Sequence, residues 1–206
     1  MKKTTLMLLV ILLGFEVTTL ASGPTPKTVT PHRPTKTTNI SHVQTRPSIS
    51  GNSLQALAPK GIYVVVDTAQ NTVYVREGEK TLYTAVASTG SGASLKDPRN
   101  PTKGWVFETP RGIYSIKNKI KNPAWVKPDW AFIEEGEPIP TQAKDRIETG
   151  VLGDYALGFG NGYFIHGTLY TRLLGTNVTH GCIRLGDTDL EYLYRHVPTG
   201  ATLIIF

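Results

Sequence analysis

Between Gly61 and Phe206 the apolar residues come in short β-branched and aromatic runs, each closed within a few residues by glycine, proline or asparagine. Runs this short and this punctuated suit strands and leave little room for helices. Ile62–Asp67 and Thr72–Arg76, separated by Ala69-Gln70-Asn71, predict a hairpin, and the first run is apolar on both faces, as an interior strand must be. Thr81–Ser88, Ile113–Lys117, Tyr163–Ile165 and Ala201–Phe206 read as further strands. Asp187–His196 carries a helical pattern, with Asp187 as N-cap and Leu190, Leu193 and Tyr194 on one face. With 20 Gly and 14 Pro in 206 residues, a coiled coil or helical bundle is excluded, because both breakers cost stability inside helices. The expected fold is mainly β: a β-sandwich of mixed sheets with one or two short helices. Gly90–Pro110 reads as mostly loop, and Asn118–Gly153, with four prolines and no steady period, as a lid insertion.

The chain divides into three. Lys2 and Lys3, the apolar stretch Leu6–Phe15 and the small-residue site Thr19-Leu20-Ala21-Ser22 predict a signal peptide over 1–22. Glu16 ends the apolar run well short of the ~20 residues a membrane span needs. Residues 23–59 are rich in Thr, Pro, Ser, Lys and Arg, hold no acid, and predict a disordered basic linker that could contact anionic envelope polymers. Residues 60–206 form the folded domain, expected to be a monomer. Six of the 22 basic residues and one of the 16 acidic ones precede residue 59, so residues 59–206 carry 16 against 15, a net of +1. That balance lacks the basic footprint of a nucleic-acid domain. Export places the protein in the periplasm, cell envelope or extracellular space.

A lone cysteine in an exported chain forms no internal disulfide and invites oxidation, so its retention calls for a reason. Cys182 lies in Val178-Thr179-His180-Gly181-Cys182-Ile183-Arg184. A small buried hydrophobe would sit in an apolar run; this setting is electropositive and predicts a lowered thiol pKa. His166 closes the run Tyr163-Phe164-Ile165 and is followed by Gly167-Thr168, where a glycine lets another group approach. Read alone it suits either a core histidine or a general base; beside a nucleophilic thiol the base is favoured.

His166-Gly167-Thr168 followed, fourteen residues after His166, by His180-Gly181-Cys182-Ile183-Arg184-Leu185 resembles the signature of the L,D-transpeptidases, the YkuD-type catalytic domain of bacterial cell-wall enzymes. Thr109-Pro110-Arg111-Gly112, Asn122-Pro123-Ala124-Trp125 and Gly200-Ala201-Thr202-Leu203 resemble further segments of that family, so the likeness covers residues 60–206. It implies that Cys182 is the nucleophile and His166 its base, the imidazole being oriented by a backbone carbonyl just after it. It also implies an oxyanion site from the backbone N–H groups of His180, Gly181 and Cys182, with Thr179 and Gly167 beside it. Arg184 reads either as a clamp for a substrate carboxylate or as a strut for the loop. The implied reaction is acyl transfer from a peptidoglycan tetrapeptide stem, with D-alanine released, to an amine of a neighbouring stem. An L,D-carboxypeptidase or a catalytically silent peptidoglycan-binding module are the alternatives.

Other chemistries lack their motifs. No lysine follows a serine at the Ser-x-x-Lys spacing, and Gly-x-Ser-x-Gly, His-Glu-x-x-His and a phosphate loop are absent from the sequence. A zinc site from His166, His180 and Cys182 would lack the second cysteine such sites usually have, so no metal or other cofactor is expected.

Overall fold

The computed structural model describes residues 58–206. The expected signal peptide and all but the end of the expected linker lie outside the described residues. Strands β1 (Ile62–Asp67) and β2 (Thr72–Glu77) pair antiparallel along their whole length. Asp67 makes their turn, its carboxylate accepting the N–H groups of Ala69 and Gln70 at 3.0 and 2.9 Å. Asn71 takes the left-handed conformation at φ 50°, which asparagine tolerates better than most residues.

β3 (Lys80–Gly90), at 11 residues, is the longest strand. It joins the two halves of one curled sheet. On one side lie β2, β1, β14 (Thr202–Ile205) and β6 (Gly112–Ser115); on the other lie β13 (Ile183–Leu185), β11 (Tyr163–His166), β10 (Tyr155–Gly160) and β7 (Asn118–Lys121), while β12 (Asn177–Thr179) pairs with the end of β3. β1–β14, β11–β13 and β12–β3 are parallel and the other pairs antiparallel. The fold is therefore mainly β and mixed, with the two layers formed by one sheet folding over. Its far ends approach each other: Lys117 donates its N–H to the Gly158 carbonyl at 2.7 Å, and the Tyr114 and Phe159 rings meet edge-on at 5.5 Å.

Between the layers are Val64, Val66, Val73, Val75, Leu203 and Ile205 from one half and Leu157, Phe159, Ile165, Ile183 and Leu185 from the other, all essentially inaccessible. Each such side chain contributes roughly 1.5–3 kcal/mol by leaving water. Leu190 and Leu193 of α2 (Asp187–His196) join this core. The expected N-cap moves by one residue: Gly186 holds the cap position with no side-chain bond, and Asp187 occupies the first turn. A carboxylate there still meets the positive end of the helix dipole.

Two expectations are corrected. Gly90–Pro110 is a hairpin of β4 (Ser94–Asp97) and β5 (Asn100–Val106), paired through Leu95 and Trp105. Its residues are mostly exposed, so no alternating apolar pattern marked it in the sequence. The insertion Asn118–Gly153 is structured: after β7 it folds into β8 (Ala124–Val126), α1 (Asp129–Glu135) and β9 (Ile147–Thr149), with β8 and β9 paired.

Candidate active site

The site is built at the end of β3. β12 runs beside Thr89 and Gly90 on the edge of β3 nearest Asn71, whereas β13 pairs with Ala87 and Ser88 on the opposite edge. The chain crosses from one edge to the other through His180-Gly181-Cys182, so this turn wraps the strand end. Ser91 donates its N–H to the Thr179 carbonyl at 2.9 Å. Behind the turn, the Thr109 hydroxyl accepts the Gly90 N–H at 2.8 Å and donates to the Gly181 carbonyl at 3.0 Å. The buried Thr179 hydroxyl accepts the Gly181 N–H at 3.1 Å and donates to the Cys182 carbonyl at 2.6 Å.

Gly181 has φ +118°, and a Cβ there would lie 2.7 Å from the Tyr163 ring and 2.9 Å from the Glu108 carbonyl. Only glycine closes this turn. Because its N–H is already given to Thr179, Gly181 differs from the sequence expectation of an oxyanion donor, and the N–H groups of His180 and Cys182 remain as the candidates. Gly167 also has a structural partner: its N–H reaches the Leu152 carbonyl at 2.8 Å, and a Cβ would sit 3.0 Å from the Gly153 Cα. The group that approaches it is the backbone at the end of the insertion.

β11 and β13 are parallel, with Ile165 opposite Ile183 and His166 opposite Arg184. Ile165 and Ile183 point into the core, so strand alternation puts Phe164, His166, Cys182 and Arg184 on the other face. Cys182 and His166 are then diagonal neighbours, a relation within reach of long and aromatic side chains. His166 Nδ1 lies 2.7 Å from the Gly167 carbonyl. A carbonyl only accepts, so Nδ1 carries the proton and Nε2 offers its lone pair. Burial, helped by the Arg184 charge and opposed by the Gly167 carbonyl, lowers the His166 pKa to about 4. The imidazole is neutral at pH 7.

The sequence predicted a lowered thiol pKa for Cys182; the structure reverses it. Burial raises it, and this outweighs the Phe164 backbone N–H and the Arg184 guanidinium, which both act to lower it. Thiol and imidazole are both uncharged at rest. Arg184 is half-buried, burial lowers its pKa, and it has no salt-bridge partner among the described residues. No group of three or more His, Cys, Asp or Glu suited to a metal occurs among the described residues.

The insertion meets the site again at His180. Its ring stacks on Trp130 of α1 at 4.2 Å and 19°, meets the edge of Phe107 at 4.4 Å and 78°, and places Nε2 2.7 Å from Glu134 Oε2. Sequence reasoning missed Phe107 and Glu134, which lie 73 and 46 residues away from His180 with no local pattern linking them. Behind the turn, a polar groove of about 610 Å³ is lined by Thr68, Thr89, Ser91, Glu108, Thr109 and Arg111 among others, and neither Cys182 nor His166 lines it.

A family model described as "YkuD: L,D-transpeptidase catalytic domain" matches residues 61–205. The chain belongs to the L,D-transpeptidase family. Among curated relatives, "Probable L,D-transpeptidase ErfK/SrfK" of Salmonella typhimurium is 30% identical over 146 residues, 69% of this chain and 46% of that protein. This L,D-transpeptidase-family chain therefore spans about half the length of that relative. Among solved structures, an L,D-transpeptidase from Mycobacterium smegmatis aligns with TM-score 0.51 at 22% identity, over 70% of this chain and 58% of that one. LdtMt1, solved in complex with imipenem, aligns with TM-score 0.51 at 21% identity, over 71% and 59%. At these identities the structures establish the L,D-transpeptidase fold of the chain.

Proposed function

We propose that this chain is an exported peptidoglycan L,D-transpeptidase in which Cys182 is the nucleophile and His166 the base. The observation that carries the reading is the shared face of β11 and β13, with Nδ1 of His166 committed to the Gly167 carbonyl and Nε2 left as acceptor. The thiol proton passes to Nε2 as sulfur attacks the carbonyl before the terminal D-alanine of a tetrapeptide stem. The C–N bond breaks, D-alanine leaves with the proton from His166, and a thioester remains on Cys182. An amine of a neighbouring stem then attacks the thioester, gives its proton through His166 back to sulfur, and forms the cross-link. The His180 and Cys182 N–H groups face the oxyanion, and Arg184, without an acid of its own, holds a substrate carboxylate. Residues 1–22 act as signal peptide, 23–59 as linker and 60–206 as catalytic domain. No helix among the described residues is long and apolar enough to cross a membrane.

Incubation of the chain with tetrapeptide muropeptides, followed by mass spectrometry of protein and products, tests this. The expected result is an acyl adduct on Cys182, free D-alanine and cross-linked dimers, all abolished in Cys182→Ala. His166→Ala slows acylation by about 10²–10⁴-fold, the usual worth of a general base. Shortened stems without dimers would make the protein a carboxypeptidase. Absence of an adduct from either muropeptide or imipenem would leave a binding module.

A further inference from the structure

We propose that Glu134 and Trp130 of α1 are positioning residues for the acyl-transfer step, acting on the catalytic turn through the side chain of His180; this rests on Cys182 being the nucleophile. His180 stands two residues before Cys182 in a turn whose middle residue has no side chain. Thr109, Thr179 and Ser91 hold that turn from behind and below through backbone atoms. From the insertion side it is held by the His180 ring, which has three contacts of different kinds: a face on Trp130, an edge against Phe107 and Nε2 on Glu134. Three contacts of this kind fix both ring torsions. Fixing His180 fixes the peptide plane that carries its own N–H, one of the two oxyanion candidates, and fixes the start of the Gly181 link that leads to the other, the Cys182 N–H.

The roof that supplies these contacts is braced independently of the turn. Asp129, at the start of α1, receives Arg146 at 2.8 Å and Arg99 of the β4–β5 hairpin at 3.2 Å. Phe107, just after β5, also meets Trp130 edge-on at 5.3 Å. Insertion and hairpin thus form one body that grips the turn at a single side chain. Such a grip acts on the geometry of the transition state more than on the binding of the ground state, since neither Glu134 nor Trp130 needs to touch the substrate.

The test is acylation of the full chain by imipenem, with the maximal acylation rate and the half-saturating concentration measured separately and the adduct mapped by mass spectrometry. Glu134→Ala is expected to lower the maximal rate about tenfold, the kinetic equivalent of one hydrogen bond, with less than about twofold change in half-saturation. Glu134→Gln keeps an oxygen acceptor for an Nε2–H and is expected to recover most of the rate. Trp130→Phe is expected to stay near wild type and Trp130→Leu to fall with Glu134→Ala. Wild-type rates in Glu134→Ala, or a loss confined to half-saturation, overturn the proposal, as does a Gln variant no better than Ala. If the wild type itself gains no adduct at Cys182, the failure belongs to the proposed nucleophile instead. Each variant's melting temperature accompanies the kinetics, and a loss of rate that tracks a loss of fold across the series also counts against positioning.

Discussion

In the sheet, Val64, Val66, Leu157, Ile183 and Leu203 belong to one fully buried apolar cluster. In the roof, Lys127 sits with its side chain 7% exposed among the half-exposed carboxylates of Glu135, Glu137 and Glu148, its ammonium over the Phe132 ring. Asp97, Arg99, Lys103, Asp129 and Arg146 continue that network into the hairpin. The sheet is thus held by contacts that are non-directional and additive in area. The roof is held by directional pairs that solvent and salt can reach. The difference teaches that one domain is held in two ways, by apolar burial in the sheet and by paired charges in the insertion and hairpin.

The largest expected effect breaks the sheet. Leu203 lies in β14, fully buried between β1 and β6, and Leu203→Ala should cost ~2–5 kcal/mol and lower Tm on the order of 10 °C. A thermal melt followed by circular dichroism checks this. A fall of only a degree or two would mean that the core is less decisive than its burial implies.

The second effect comes from the seam between the two regions. His166 has a native pKa lowered to about 4, so between roughly pH 6.5 and 4 the unfolded chain binds more protons than the folded one. Stability is then complete above about pH 6.5 and falls as pH drops towards 4, by up to about 3 kcal/mol. Asp97, held at about 2 by its hydrogen bond to Arg99, and Asp129, lowered chiefly by Arg146, lose their stabilising effect only below the ordinary carboxylate range. Urea unfolding at a series of pH values separates the windows, and in His166→Gln the upper one should vanish. Persistence of the upper window in that variant would assign it to another group.

The smallest effect is confined to the roof. Lys127→Met should speed amide exchange across residues 124–149 while shifting the global Tm by only a few degrees, because its partners are half-exposed and relax into water. Molar salt should do the same to the wild type. Equal loss of protection in β1 and β14 would show that roof and sheet unfold as one unit, ending the distinction.

What the sequence revealed follows the same division. The runs at Ile62, Thr72, Thr81, Ile113 and Tyr163 were legible from their β-branched and aromatic residues between turn residues, and the positions of His166 and Cys182 were legible from a spacing of residue types. The β4–β5 hairpin was not, since Lys96, Thr102 and Lys103 point to solvent and leave no alternation. Nor was the grip of Glu134 on His180, a contact between distant residues on a seven-residue helix too short to show a face. The thiol pKa was misjudged for a related reason: flanking His and Arg are visible in sequence, but burial is a property of the fold.

β1 and β14 pair in parallel, Val64 with Leu203 and Val66 with Ile205, and β6 reaches the sheet only through β14. The first strand of the domain thus waits for the last one. Until residues 202–205 are in place β1 has only β2 beside it and β6 has no strand partner in the sheet, and seating them closes a loop of nearly the whole domain. Completion of this sheet is a late event in folding, and any agent that keeps residues 202–205 from pairing with β1 leaves the domain with two open sheet edges where β14 should lie.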